Sequence, residues 1–142
     1  MKRFLVTGDV HIGDYAKYNL TYRFRLKQFE SLMKRFIQMK DEYNLDSVII
    51  AGDLLRECVM RPYVMYEVRN FVKGLCEVYN NVYFTYGNHD VDVKVHDVSD
   101  CDSLVSLLSD IPNFKLMDHE SLTVEDSKIY FESWSHKHEI DP

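Results

Sequence analysis

The sequence predicts an α/β fold, a parallel sheet built as βαβαβ and followed by a short helix and further β-strands. Three observations carry this. The apolar runs Phe4-Leu5-Val6-Thr7, Val48-Ile49-Ile50-Ala51 and Val82-Tyr83-Phe84-Thr85 are short and read as strands. Between them lie two longer segments whose apolar residues recur at helical spacing. Each strand also runs into a glycine and then a metal-capable side chain: Gly8-Asp9-Val10-His11, Gly52-Asp53 and Gly87-Asn88-His89. The carboxyl ends of strands in an open α/β sheet line one crevice, where ligands bind. The recurrence therefore predicts that Asp9, His11, Asp53, Asn88 and His89 lie close together.

Taken in order, residues 3–7 read as a strand buried on both faces. Gly8 to Tyr18 is loop. Asp9 and His11 are two apart, so an extended backbone would point both side chains toward one ion. Tyr22 to Tyr43 reads as a long helix, with Tyr22, Leu26, Phe29, Met33, Phe36 and Ile37 forming a stripe toward the core. Asn44-Leu45-Asp46 turns into the second strand, Ser47 to Ala51. Pro62 suits the first turn of a second helix. Its apolar face is Val64, Met65, Val68, Phe71, Val72, Leu75 and Cys76. Asn80-Asn81 turns into the third strand.

Beyond Asp90 the chain is polar and acidic from Val91 to Asp102, a loop near the predicted crevice. Ser103 to Ile111 reads as a short helix and Phe114 to Met117 as a strand. Ser121 to Val124 and Lys128 to Trp134 form a hairpin across Glu125-Asp126-Ser127. Ser135 to Pro142 reads as a frayed tail. His96 and His119 read as surface residues, and Asp97, Asp100 and Asp102 as a solvated loop or helix cap.

The length of 142 residues predicts one domain, 1–142, or one incomplete domain. A net charge of −6 offers no broad basic face to nucleic acid, although bound cations would add positive charge where a phosphate sits. The three cysteines are widely spaced and odd in number, which suits a reducing cytoplasm. No apolar run approaches the roughly 18 residues of a membrane span, so the expectation is a soluble, cytoplasmic protein without a membrane partner.

Taken singly, Asp-x-His, Gly-Asp and Gly-Asn are common loop pairs; their joint occurrence at three successive strand ends is the signal. Asp, His and Asn donors suit Mn, Fe, Zn or Mg more than a soft-metal thiolate site. A carboxylate such as Asp53 can bridge two cations about 3.5–4 Å apart, an arrangement that activates water and clamps phosphate oxygens. His89 then reads as a general acid or a stabiliser of a phosphoryl oxygen, with Asp90 orienting it by hydrogen bonding.

The three segments resemble the first three motifs of the calcineurin-like metallophosphoesterase superfamily. The resemblance implies a metallophosphoesterase-like α/β sandwich, of which this chain is the N-terminal part. It implies two divalent metal ions, manganese first, with Mg, Fe or Zn as alternatives. Asp9 and His11 would bind one ion, Asp53 both and Asn88 the second, leaving His89 as the catalytic residue. Gly87-Asn88-His89-Asp90 departs from the Ser/Thr phosphatase branch, which usually has a glutamate in place of Asp90. Ser103 to Leu108, Pro112 to Leu116 and Ser133-Trp134 resemble the SbcD-type repair nucleases, and within them the recombination endonuclease subunits of T-even-like phages.

That branch implies a DNA exonuclease or endonuclease subunit working with an SbcC-like ATPase. It also implies a homodimer with Tyr22 to Tyr43 at the contact, and the host cytoplasm for a phage-encoded chain. The family's later Gly-His and Gly-His-x-His motifs are missing; His136-Lys137-His138 matches only the spacing of the last. A split or truncated fragment that acts through another chain is therefore one alternative. A phosphodiesterase for nucleotides or small phosphodiesters is another.

Overall fold

The computed structural model describes residues 1–15, 22–91 and 102–133. The elements are β1 (Phe4–Thr7), α1 (Tyr22–Tyr43), β2 (Ser47–Ala51), α2 (Pro62–Val78), β3 (Val82–Thr85), α3 (Asp102–Leu108), β4 (Phe114–Leu116), β5 (Glu120–Val124) and β6 (Ser127–Phe131). Strands β1-β2-β3-β4 form a parallel sheet in that order, and β5-β6 form a separate antiparallel hairpin. The predicted α/β fold with its βαβαβ core is the one observed.

The sheet has two unequal faces. On one, Leu5, Val48, Ile50, Val82 and Phe84 pack against Val68, Phe71, Val72 and Leu75 of α2, and Phe29, Met33, Phe36 and Ile37 of α1 close over them. Phe36 meets Phe71 edge-on with ring centroids 6.2 Å apart. The fully buried ones, Val48, Ile50, Val68, Phe71, Val72, Leu75, Val82 and Phe84, contribute about 1.5–3 kcal/mol for each large residue. On the other face Ile49, Met117 and Phe131 form a smaller cluster with Phe4, Tyr83, Leu122 and Ile129, so the hairpin covers that side.

Strand β1 is not buried on both faces as expected, since Val6 remains 62% exposed. The reason is its position: β1 is an edge strand, and the hairpin residues gather over Phe4, Ile49 and Tyr83. Helix α3 starts at Asp102 and stops at Leu108, three residues short of the expected end. The Ile111 N–H closes a turn onto the Leu108 carbonyl, and Ile111 precedes Pro112, which disfavours helical backbone at residue 111. The hairpin turn is tighter than predicted. Ser127 pairs with Val124, leaving Glu125 and Asp126 at the turn, with Glu125 at φ 53°. Strand β4 ends at Leu116, and β5 begins one residue early, at Glu120. His96, Asp97, Asp100, Trp134, His136 and His138 lie outside the described residues, as do residues 92–101 of the expected loop Val91 to Asp102 and the expected tail Ser135 to Pro142; Val91 is buried and Asp102 opens α3. Among the described residues no helix is long and apolar enough to cross a membrane.

One buried charge sits in the helical layer. Glu67 of α2 is only 8% exposed. Burial, and then the nearby charge of Glu30, raise its carboxyl above the usual carboxylate range. The folded state thus holds this proton more tightly than the unfolded chain, so this group's contribution to stability falls as pH rises through the shifted range. Glu67→Gln is therefore expected to raise the Tm at neutral pH and to lose that advantage in acid. Thermal unfolding at the two pH values measures both.

Candidate metal centre

The site is built where β1, β2 and β3 end. Thr7, Ile50 and Phe84 lie side by side in register, so the three loops leave the sheet together. The first two loops then bond to each other through their backbones. Asp9 N–H donates to Gly52 O at 3.2 Å, His11 N–H to Asp53 O at 3.0 Å, Ile12 N–H to Leu54 O at 2.9 Å, and Arg56 N–H to Ile12 O at 3.0 Å. Ile12, Leu54 and Leu55 are buried beneath and anchor this pairing.

The backbone in these loops is not the extended form expected for Asp9 and His11. Asp9, His11 and Asp53 have φ of 53°, 52° and 51°. Left-handed backbone at a non-glycine residue is uncommon and costs on the order of 1 kcal/mol or more. Here the inter-loop hydrogen bonds hold three such residues within one small region. Their side chains converge through these turns and not through the two-residue period of a strand.

The convergence is close. His11 Nε2 lies 3.5 Å from Asp53 Oδ2 and 3.7 Å from Asp9 Oδ1. Asp53 Oδ1 accepts the His89 backbone N–H at 2.9 Å. The His11 and His89 ring centroids are 4.9 Å apart. One donor atom each from His11, Asp53 and His89 lies within 4.8 Å of the others. The His11 imidazole and the Asp53 carboxylate at that spacing suit a divalent cation such as Mn, Fe, Zn or Mg, with the His89 imidazole beside them. Asp9 stands at the exposed rim, within reach of His11. Asn88 is exposed in the same turn, one residue before His89.

His89 Nδ1 lies 2.8 Å from the carbonyl oxygen of Arg56. A carbonyl only accepts, so Nδ1 carries the hydrogen, and Nε2 is the nitrogen left for a ligand or proton. This differs from the expected pairing of His89 with Asp90. The Asp90 carboxylate instead accepts three backbone N–H groups, from Asp53 (2.8 Å), Leu55 (2.9 Å) and Gly87 (2.7 Å). It ties the second and third loops together from below, with 1% exposure. Its carboxyl is pushed up to about 6, by burial above all and further by the charge of Asp53, against the opposing pull of the three N–H bonds.

Sequence reasoning missed two contributors. One is the Arg56 carbonyl, a backbone group that carries no side-chain signal. The other is Ser133, whose Oγ accepts the Tyr86 N–H at 3.2 Å and lies 3.0 Å from Thr85 Oγ, fixing the end of β3.

Two glycines are required by close approach. Gly52 has φ 80°, and a Cβ there would lie 3.1 Å from the Gly87 Cα. A Cβ on Gly87 would lie 2.7 Å from Asp53 Cγ and would overlap Asp53 Oδ1 and its backbone nitrogen. Gly87→Ala must therefore displace the Asp53 carboxylate. The expected result is a loss of divalent-metal affinity of about 10–100-fold, the range seen when a ligand's support is removed. Titration calorimetry with manganese measures it.

The family model for calcineurin-like phosphoesterases matches residues 2–139. Among solved structures, the Pseudomonas putida nuclease MPE is similar, with a TM-score of 0.54 and 24% sequence identity. The likeness covers 88% of this chain and 52% of that one, so the chain spans about half the length of that nuclease. At this identity the likeness shows a shared fold. No curated protein matches the sequence.

Proposed function

The chain belongs to the calcineurin-like phosphoesterase family, and from that premise we propose that it hydrolyses phosphodiesters with two divalent ions, manganese first, and that its substrate is DNA. The observation that carries the reading is the meeting of His11, Asp53 and His89 within 4.8 Å at the ends of three adjacent strands. A cation bound there supplies Lewis-acid chemistry and a lowered water pKa. His11 and Asp53 would hold it, Asp9 and Asn88 would complete the ligand sets, and Asp53 would lie between the two ions. The nuclease among the structural neighbours supports a nucleic-acid substrate. An SbcC-like ATPase partner and a homodimer belong to the same reading. A net charge of −6 favours a second reading, in which the substrate is a nucleotide or small phosphodiester.

His89 would act at the leaving oxygen. Its Nδ1–H is held by the Arg56 carbonyl, which fixes the ring's orientation and tautomer. In the protonated form Nε2–H can donate to the oxygen on which charge develops. His89→Asn is expected to slow turnover about 100-fold or more, within the range for loss of a general acid, with metal affinity little changed. Parallel loss of both in calorimetry and kinetics would make His89 a ligand instead.

The substrate class is tested by comparing bis-p-nitrophenyl phosphate, p-nitrophenyl phosphate and single-stranded DNA under manganese. The diester and DNA should be cleaved, the monoester poorly, and a chelator should stop all turnover. Preference for the monoester would contradict the reading.

A further inference from the structure

A cleft of about 440 Å³ lies beside the metal centre, between the loop after β1 and the loop leading into α2. Its lining includes Asp14, Arg56, Glu57, Val59, Met60 and Arg61. Arg56 joins the cleft to the site directly. Its carbonyl holds His89 Nδ1, and its N–H binds Ile12 O in the loop that carries His11. Its guanidinium lies 4.3 Å from the Tyr15 ring centroid and donates to Asp14 O at 3.2 Å. Stacking and hydrogen bonding therefore fix one cation in the lining.

Arg61 supplies a second guanidinium, on a side chain 74% exposed. It forms a loose ion pair with Asp14, 3.8 Å from Oδ2, so the Asp14 carboxylate offsets part of its charge while the distance leaves N–H donors for a phosphate oxygen. Arg61 is the N-cap residue of α2, and a guanidinium, which has no acceptor, cannot cap the helix's first N–H groups. Val59 places an apolar side chain, 79% exposed, in the same lining. Glu57 is exposed, where solvent weakens its repulsion of an anion.

Resting on the phosphodiesterase reading above, we infer that this cleft takes one nucleotide unit of the substrate strand next to the scissile phosphate. Arg61, with Arg56 behind it, contacts the unit's phosphate, and Val59 and Met60 contact its base. The pairing of guanidiniums with an apolar surface suits a phosphate linked to a flat, weakly polar group. Arg61 and Val59 are then specificity-determining residues that lie outside the metal ligand set.

The test is fluorescence anisotropy of a short labelled oligothymidylate with manganese, across a salt series, beside turnover of bis-p-nitrophenyl phosphate by the unaltered chain. Arg61→Ala should weaken oligonucleotide binding about fivefold or more and lower the salt slope by about one. Val59→Asp should weaken it as well. Tyr66→Ala, a substitution at an exposed residue on α2, should leave binding unchanged. Unchanged affinity and salt slope in Arg61→Ala would overturn the assignment of the cleft. Oligonucleotide binding absent from a chain that cleaves bis-p-nitrophenyl phosphate would overturn it while sparing the phosphodiesterase reading. Absence of both binding and cleavage would overturn the two together.

Discussion

Asp53→Asn is expected to remove metal-dependent phosphodiester hydrolysis, by at least about 100-fold, while leaving the chain folded. The substitution keeps the shape of the side chain and takes away its charge. Oδ1 can still accept the His89 N–H, now 2.9 Å away, so the turn at residues 87–90 keeps that bond. The other oxygen, 3.5 Å from His11 Nε2, is replaced by an amide nitrogen. A nitrogen donor cannot ligate a cation, and a neutral group cannot offset the charge of one. The backbone carbonyl and N–H of residue 53 bond to His11 and Asp90, and neither depends on the side chain. A Tm close to that of the unaltered chain with turnover lost is the expected pair of results. Undiminished turnover would remove Asp53 from the chemistry.

Asp90→Asn is expected to cost stability first and activity as a consequence. Both carboxylate oxygens of Asp90 accept: Oδ1 from Leu55, and Oδ2 from Asp53 and Gly87. An amide has one oxygen, so its NH₂ must face either the Leu55 N–H or the other two. At a position 1% exposed, no water relieves the opposed donors. Each orphaned buried N–H costs about 1–3 kcal/mol, so a loss of about 2–4 kcal/mol follows. For a chain of this size that is a fall of roughly 10 °C in Tm. The substitution also removes a charge that burial disfavours, which acts in the opposite direction at neutral pH. Thermal unfolding measures the fall. An unchanged Tm with a reduced kcat would instead place Asp90 at the substrate.

The strands and helices were legible because they follow period and punctuation. Val48-Ile49-Ile50-Ala51 ends at Gly52 in sequence and in space, and Pro62 opens α2 as the first helical position. The convergence of His11 and Asp53 was legible from their repeated place after a strand, which the parallel register brings side by side. The means of convergence was not. Left-handed backbone at Asp9, His11 and Asp53 is imposed by hydrogen bonds between loops some forty residues apart. Asp and His tolerate that backbone better than most residues, but nothing local marks which of them adopt it. The work of Asp90 was hidden for the same reason. A carboxylate that binds backbone N–H groups looks, in a sequence, like one that binds a metal or a histidine. The exposure of Val6 was hidden because an apolar residue in a short run cannot show which edge its strand will occupy.

The most direct measurement is manganese titration calorimetry on the chain, its Asp53→Asn variant and its His11→Ala variant. If His11 and Asp53 share a metal centre, the unaltered chain binds manganese and each variant loses at least about tenfold in affinity. Manganese binding that is equally tight in all three would contradict a centre built on these two side chains.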